Sequence, residues 1–252
     1  MGDACPMPLE LEWLGHAGVL IELDGVRLVT DPLLRPRVGP LVRVAPSLRA
    51  DAAREVEAVL LSHLHADHAD PASLRRIGAP VVAPRGAGAW LRRHGVHDVR
   101  ELCSGEELAV GAVRVLAVGA EHEDRRYPFG PRAEPIGFVL AGSQSVYFAG
   151  DTDLFDAMEE LRGSVDVALL PVWGWGTKLG PGHLDPVRAT RAAAIISPRV
   201  VVPIHWGTFA VARPFGPGAA SHAPAREFAE LAGREAPQVE VRLLRPGERT
   251  AL

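Results

Sequence analysis

The 252-residue sequence is poor in cysteine and nearly devoid of lysine: it has Cys5, Cys103 and a single lysine, Lys178. Two cysteines do not make a disulfide framework of the kind that small secreted domains need. No apolar stretch approaches the ~20 uninterrupted residues of a membrane-spanning helix. The opening residues, MGDACPMPLELEW, lack a basic segment followed by an apolar one, so no secretory signal is expected. Pro6 stands where a myristoylation signal wants Ser or Thr. An excess of one charge is also missing. Lys and Arg number 27 against 31 Asp and Glu, interspersed, for a net charge of −4. This leaves no electrostatic footprint for nucleic acid. Together these absences lead us to expect a soluble, cytoplasmic protein without a membrane span. All basic residues other than Lys178 are arginine, which, with abundant Ala, Gly and Pro, reads as a GC-rich coding bias. The lone lysine is therefore a position to watch.

What the sequence does have is histidine in one place. LLSHLHADHAD, residues 60–70, sets His63, His65 and His68 around Asp67, directly after an apolar run. Such a density of imidazole and carboxylate asks for a metal.

The flanking pattern places this cluster at a strand end. LELEWLGHAGVLIELDGVRLVTDPLL alternates and is punctuated by Gly15, Gly18 and the Asp24-Gly25 pair, a two-residue hairpin signal. VEAVLLS, at 56–62, reads as a buried strand. APVVAP is a strand between two short helices, PASLRRIG and GAGAWLRRHG. Farther on, VRVLAVGA ends at Glu121-His122, and IGFVLAG with SVYFAG forms a hairpin that ends at Asp151. DLFDAMEELRG reads as helix and VDVALLPV as a buried strand. DPVRATRAAAIISP is a helix with Asp185 as N-cap, Pro186 in its first turn and Pro198 as its stop. VVVPIHW is a strand ending at His205, APAREFAELAGRE a helix, and QVEVRLL a last strand. There is neither a repeat nor a low-complexity linker. The expected fold is a single α+β domain, residues 1–252, of two packed sheets flanked by helices.

Every polar cluster therefore follows a strand: His63, His65, Asp67 and His68 one, His122 a second, Asp151 a third, His205 a fourth. Loops at strand ends carry chemistry on a rigid scaffold. Histidine and aspartate around an open position suit catalytic zinc.

The pattern HLHADH, followed at intervals of 54, 29 and 54 residues by His122, Asp151 and His205, resembles the signature of the metallo-β-lactamase superfamily. GHAGVLIE and TDP resemble its first strands. GHLDP and VPIHWGTF resemble the branch with ascorbate-6-phosphate lactonase-like and phospholipase D-type hydrolases. The resemblance implies a four-layer αββα sandwich. It implies one metal on His63, His65 and His122, a second on Asp67, His68 and His205, and Asp151 bridging them. It further implies a hydrolase that uses two zinc ions and a bridging hydroxide on a small ester-like substrate, such as a lactone, thioester, amide or phosphodiester. His65 stands where oxygen-reducing di-iron members usually carry Glu. This favours zinc, and manganese or iron also accept imidazole.

Around these residues the roles stay open. Asp31, in VTDP, reads either as an acceptor for a ligand histidine or as an Asx-turn residue. His16 reads as lining the metal cleft or as a turn histidine. In the 122–137 loop, Arg125 and Arg126 read as gripping a phosphate or carboxylate, or simply as solvated. In PVWGWGTKLGPGHLDP, residues 171–186, Trp173 and Trp175 precede Lys178 and His183, which glycines and prolines surround. There a lid over a small, partly apolar and anionic substrate competes with a packed aromatic brace. The candidate catalytic residues are thus Asp67, His183, Lys178 and His16. His94, His97 and His222 read as surface histidines, Trp90 as helix core, and Cys103 as unactivated. Alternatives to the hydrolase are an iron-dependent redox enzyme, a nuclease of the same fold and a non-catalytic metal-binding scaffold. The substrate and the oligomeric state are not legible in the sequence.

Overall fold

The computed structural model describes residues 8–49, 51–126, 129–173, 179–212 and 222–252. The chain runs through β1 (Glu10–Gly15), β2 (Gly18–Leu23), β3 (Val26–Thr30), β4 (Arg37–Val38), β5 (Leu41–Arg43), β6 (Ala58–Leu60), α1 (Pro71–Ile77), β7 (Val81–Pro84), α2 (Gly88–Arg93) and β8 (Val99–Leu102). It continues through β9 (Glu107–Val110), β10 (Val113–Gly119), β11 (Ile136–Ala141), β12 (Ser145–Phe148), a 3-10 helix (Asp156–Leu161), β13 (Val167–Pro171), α3 (Pro186–Ile196), β14 (Val200–Ile204), β15 (Phe209–Val211), α4 (Ala223–Glu235), β16 (Glu240–Val241) and β17 (Arg249–Ala251).

Two large sheets result. One has the strand order β17-β1-β2-β3-β6-β7-β8, the other β16-β14-β13-β12-β11-β10-β9. A small third sheet, β15-β5-β4, sits beside them. Strand alternation assigns the faces. In the first sheet Val19, Ile21, Leu28, Leu60 and Val82 join the core shared with Val115, Phe138, Phe148 and Leu169 of the second. Leu20, Val29, Val59, Val81 and Ala83 point the other way, onto Leu74 of α1 and Trp90 and Leu91 of α2. The outer side of the second sheet is covered by α3 and α4, through buried Ala189, Ala193, Ile196 and Phe228. The architecture is an αββα sandwich of mixed α+β class.

Pairing directions put the functional strand ends together. β3, β6, β7 and β8 are parallel, and β1 runs with them because it is antiparallel to β2, which is antiparallel to β3. In the second sheet β12, β13 and β14 are parallel, and β10 runs with them across antiparallel β11. Hence His16, Asp31 and the 63–68 cluster leave one edge of the first sheet, and His122, Asp151 and His205 one edge of the second. The edges meet where Ile136 N–H donates to Ser62 O at 3.0 Å and His205 N–H to His16 O at 2.9 Å. Gly150 makes the approach feasible: a Cβ there would lie 2.6 Å from Ser62 Cβ, and its φ is +63°.

Some elements differ from the sequence reading. Residues 156–161 wind as a 3-10 helix. α3 begins as expected, with the Asp185 side chain accepting from Arg188 N at 2.8 Å, but it is stopped by Ser197 in the left-handed region, one residue before Pro198. QVEVRLL pairs only over Glu240–Val241, and the last strand is β17, which closes the first sheet against β1. No helix among the described residues is long and apolar enough to cross a membrane.

Candidate metal centre

The turn after β6 carries most of the site. Residues 63–67 lie in no regular element, and His68 N–H and Ala69 N–H both donate to His65 O, at 3.1 and 2.8 Å. Asp70 ends the turn and caps α1, accepting from Ser73 N at 3.0 Å. The side chains of 63, 65, 67 and 68 are thereby presented together at the strand end.

Hydrogen bonds fix how each imidazole faces. His63 Nδ1 donates to Ser62 Oγ at 2.9 Å, and that hydroxyl donates to Asp31 Oδ2 at 2.5 Å. His68 Nδ1 donates to the same Asp31 oxygen at 2.7 Å. His122 Nδ1 donates to Gly182 O at 2.7 Å, and His65 Nε2 to Arg125 O at 3.1 Å. These partners leave His63 Nε2, His65 Nδ1 and His122 Nε2 as lone pairs, and turn His68 Nε2 toward Asp151. Gly182 is required for its part: at φ +83°, a Cβ would sit 3.1 Å from His122 Nδ1.

Ring nitrogens face one another. His122 Nε2 lies 3.0 Å from His65 Nδ1, and His68 Nε2 lies 3.3 Å from His205 Nε2. Asp151 Oδ2 is 3.3 Å from both His68 Nε2 and His205 Nε2. Two groups of donor atoms, each within 4.8 Å of one another, result: His63, His65 and His122, and His16, Asp67, His68 and His205. Asp151 also groups with His122 and His183, so its carboxylate stands between the two sets. His63 Nε2 and Asp151 Oδ1 are buried without a hydrogen-bond partner in the protein. Facing lone pairs and buried unsatisfied acceptors are costly unless a cation lies among them. The donor set, imidazole with carboxylate, fits a transition-metal ion.

The protonation preferences agree. Burial, reinforced by neighbouring imidazoles, holds His63 well below the ordinary histidine value, and burial moves His122 down to about 4. Burial and His205 push His16 down to about 3. His68 is the exception. Burial opposes its charge, yet Asp151 and Asp67 raise it well above normal. Burial would also raise Asp67 and Asp151, but the imidazoles around them hold both well below the carboxylate range. The site is thus anionic oxygen with mostly neutral nitrogen, the protonation state that ligands need.

Three site residues hold left-handed backbone: His16 at φ +57°, Asp31 at +28° and His205 at +65°. Such conformations persist where surroundings over-determine them. For His16 the surroundings are explicit: Thr208 Oγ1 accepts its N–H at 2.8 Å, and its carbonyl accepts from Trp13 Nε1 and His205 N. The His16 ring reaches Asp67 Oδ2 at 3.2 Å. A cleft of about 570 Å3, lined by His122, Asp153, Phe155, Pro181 and Gly182, opens beside the first group.

Residues 26–206 match the family model of the beta-lactamase superfamily domain. The chain belongs to the beta-lactamase superfamily. A UPF0173 metal-dependent hydrolase of Methanopyrus kandleri is 32% identical over 255 residues, covering 95% of this chain and 98% of its own. The N-acyl-phosphatidylethanolamine-hydrolyzing phospholipase D 1 of Caenorhabditis elegans is 27% identical over 225 residues, 78% of this chain and 63% of its own. Igni18, a metallo hydrolase from the archaeon Ignicoccus hospitalis, has the same fold. Its TM-score is 0.75 at 24% identity, with 98% of this chain and 99% of that one covered.

Within this superfamily fold the expected ligands His63, His65, Asp67, His68, His122, Asp151 and His205 come together. His16 and His183 lie beside them, the latter with Nε2 3.9 Å from Asp151 Oδ2. Lys178 and Trp175 lie outside the described residues, and with them the lid expectation; Trp173 packs against the core. Arg126 is committed to the protein itself, donating to Ala69 O at 3.2 Å, rather than presented to a substrate anion. Ser62 and Thr208 carry roles that no sequence signal marked, since a lone hydroxyl residue has no pattern to read.

Proposed function

We propose that the protein is a dinuclear, zinc-dependent hydrolase of small ester-like molecules. His63, His65 and His122 hold the first ion, and Asp67, His68 and His205 the second. Asp151 is shared. The observation that carries this is the pair of facing donor sets with the Asp151 carboxylate between them. Because these ligands span residues 63–205, the whole chain, 1–252, acts as one domain.

Two bound zinc ions would supply Lewis acidity toward a substrate oxygen and a water acidic enough to attack at neutral pH. The protein's own residues supply the rest. Asp67, oriented by His16, aligns the attacking water while it holds the second ion. His183 is 29% exposed beside Asp151, so it is both near the reacting atoms and open to substrate. It donates a proton to the leaving group. Lys178, five residues before His183 in the same Gly- and Trp-rich stretch, takes an anionic substituent. Glu121, Glu123 and Asp156 line the cleft beside His122 and weigh against a highly charged anion on that side. Imidazole at His65, where oxygen-reducing di-iron members usually carry Glu, favours zinc, with manganese or iron as the ions to exclude.

Elemental analysis of the purified protein tests this directly. Two zinc per chain, with turnover of a lactone, thioester, amide or phosphodiester in a substrate panel, is the expected result. Asp151→Ala removes the shared carboxylate, lowers metal content and abolishes turnover. Iron with oxygen consumption, or absence of metal, would replace this reading with the redox or the scaffold alternative.

A further inference from the structure

The turn that presents three of the ligands belongs to no helix or strand, and something must hold it. Arg126 is four residues beyond His122, and its side chain crosses to that turn. Nη1 donates to Leu64 O and to Ala69 O, the peptide carbonyls that bracket His65, Asp67 and His68. The guanidinium carbon lies 4.1 Å from the ring centroid of Trp90, in α2. The arginine's own backbone is fixed as well: its N–H donates to Pro131 O at 3.1 Å, and its carbonyl accepts from Gly130 N at 2.7 Å. One planar cation thus joins the segment after His122, the turn after β6 and the helix beneath it.

We infer that Arg126 is a positioning residue of the metal centre, clamping both ends of the 64–69 turn onto Trp90 so that His65, Asp67 and His68 stay in ligating geometry. The inference rests on the metal-centre reading above. A guanidinium suits this task because it can donate in its plane while stacking on an aromatic face; a lysine ammonium cannot do both. It also explains why an arginine beside the site is not available to a substrate phosphate. Among the described residues, the turn's own backbone bonds are those of His68 N–H and Ala69 N–H to His65 O and of Asp70 N–H to His68 O. With the clamp removed, the turn can open, and an ion held by its side chains loses its ligands faster.

The test uses the full chain, loaded with zinc, and its R126K and R126M variants. R132M is the control, because Arg132 sits in the same loop but pairs with Asp124 and leaves the turn alone. Zinc release into a chromogenic chelator is followed, together with amide exchange of residues 64–70 in the metal-free protein. Release from both Arg126 variants is expected to accelerate roughly 10–100-fold, the range for lost partners just outside a metal's ligands. Exchange of the turn rises in parallel, and R132M matches wild type. R126K retains the charge and gives the answer even where R126M does not fold. A purely structural arginine would lower the melting temperatures of metal-free and loaded protein alike while release stayed at the wild-type rate, and that result overturns the clamp. Wild-type protein that binds no zinc sinks the metal-centre reading itself; wild type that binds it and variants that release it equally slowly sink only the clamp.

Discussion

His68 Nδ1 and Asp31 Oδ2 are 2.7 Å apart in the interior, and the same oxygen takes the Ser62 hydroxyl that orients His63. One carboxylate thus aligns a ligand from each proposed metal set. Asp31→Asn tests this. The other carboxylate oxygen, Oδ1, accepts the Ser62 backbone N–H at 2.8 Å; an amide has one acceptor oxygen, so its NH2 group would oppose either that N–H or the Ser62 hydroxyl and His68. We expect zinc affinity to fall roughly 10–100-fold, measured by chelator competition. Undiminished affinity would mean that Asp31 serves only its turn.

His16 calls for a substitution that keeps its backbone. Asparagine tolerates the left-handed conformation that His16 holds, so His16→Asn removes the ring and spares the turn. The contact with Asp67 Oδ2 is lost while the carbonyl still accepts from His205 N. The melting temperature is expected to stay near wild type and kcat to fall about tenfold, equivalent to roughly 1.4 kcal/mol of barrier. A variant that loses its second zinc outright would instead make His16 a ligand.

Acid should destabilise the metal-free protein. An exposed imidazole titrates near 6.5, as in the unfolded chain. Folded His122 lies at about 4 and His16 at about 3, and His63 and His65 are also lowered, all chiefly by burial. Between these values the unfolded chain binds protons that the folded one refuses, so stability falls as pH drops below about 6.5. His68 works in the other direction. Its raised value favours the folded state at low pH, and that contribution is lost as pH rises through it. Four lowered histidines outweigh one raised, and Asp67 and Asp151, held low, remain ionised. Thermal melts of chelator-treated protein should show a lower melting temperature at about pH 5 than at about pH 7. The opposite slope would show that His68 dominates.

Local signals in the sequence were enough for much of this fold. Asp24-Gly25 makes the β2–β3 turn with φ of +52° and +78°, and α4 spans the residues its pattern marked. The clustered histidines and aspartates were readable because each group follows an apolar strand. What escaped was non-local. β17 is an edge strand whose polar, three-residue sequence acquires its role only by pairing with β1 at the far end of the chain. Asp31 resembles any Asx-turn residue until Ser62 and His68 are brought to it. Arg126 looks like a solvated loop arginine until Trp90 and the Leu64 and Ala69 carbonyls surround it.

The placement of donors on both sheets also bears on biosynthesis. His205 follows His68 by 137 residues. At roughly 5–20 residues per second, the first three histidines leave the ribosome on the order of ten seconds before the chain can offer the last. Until Asp151 emerges, 54 residues before His205, the nascent protein presents His63, His65 and His68 without either, a half-built chelator open to whichever ion arrives first. On the proposed reading, the ion in the mature protein would reflect the metal available during translation as well as the preference of the finished site.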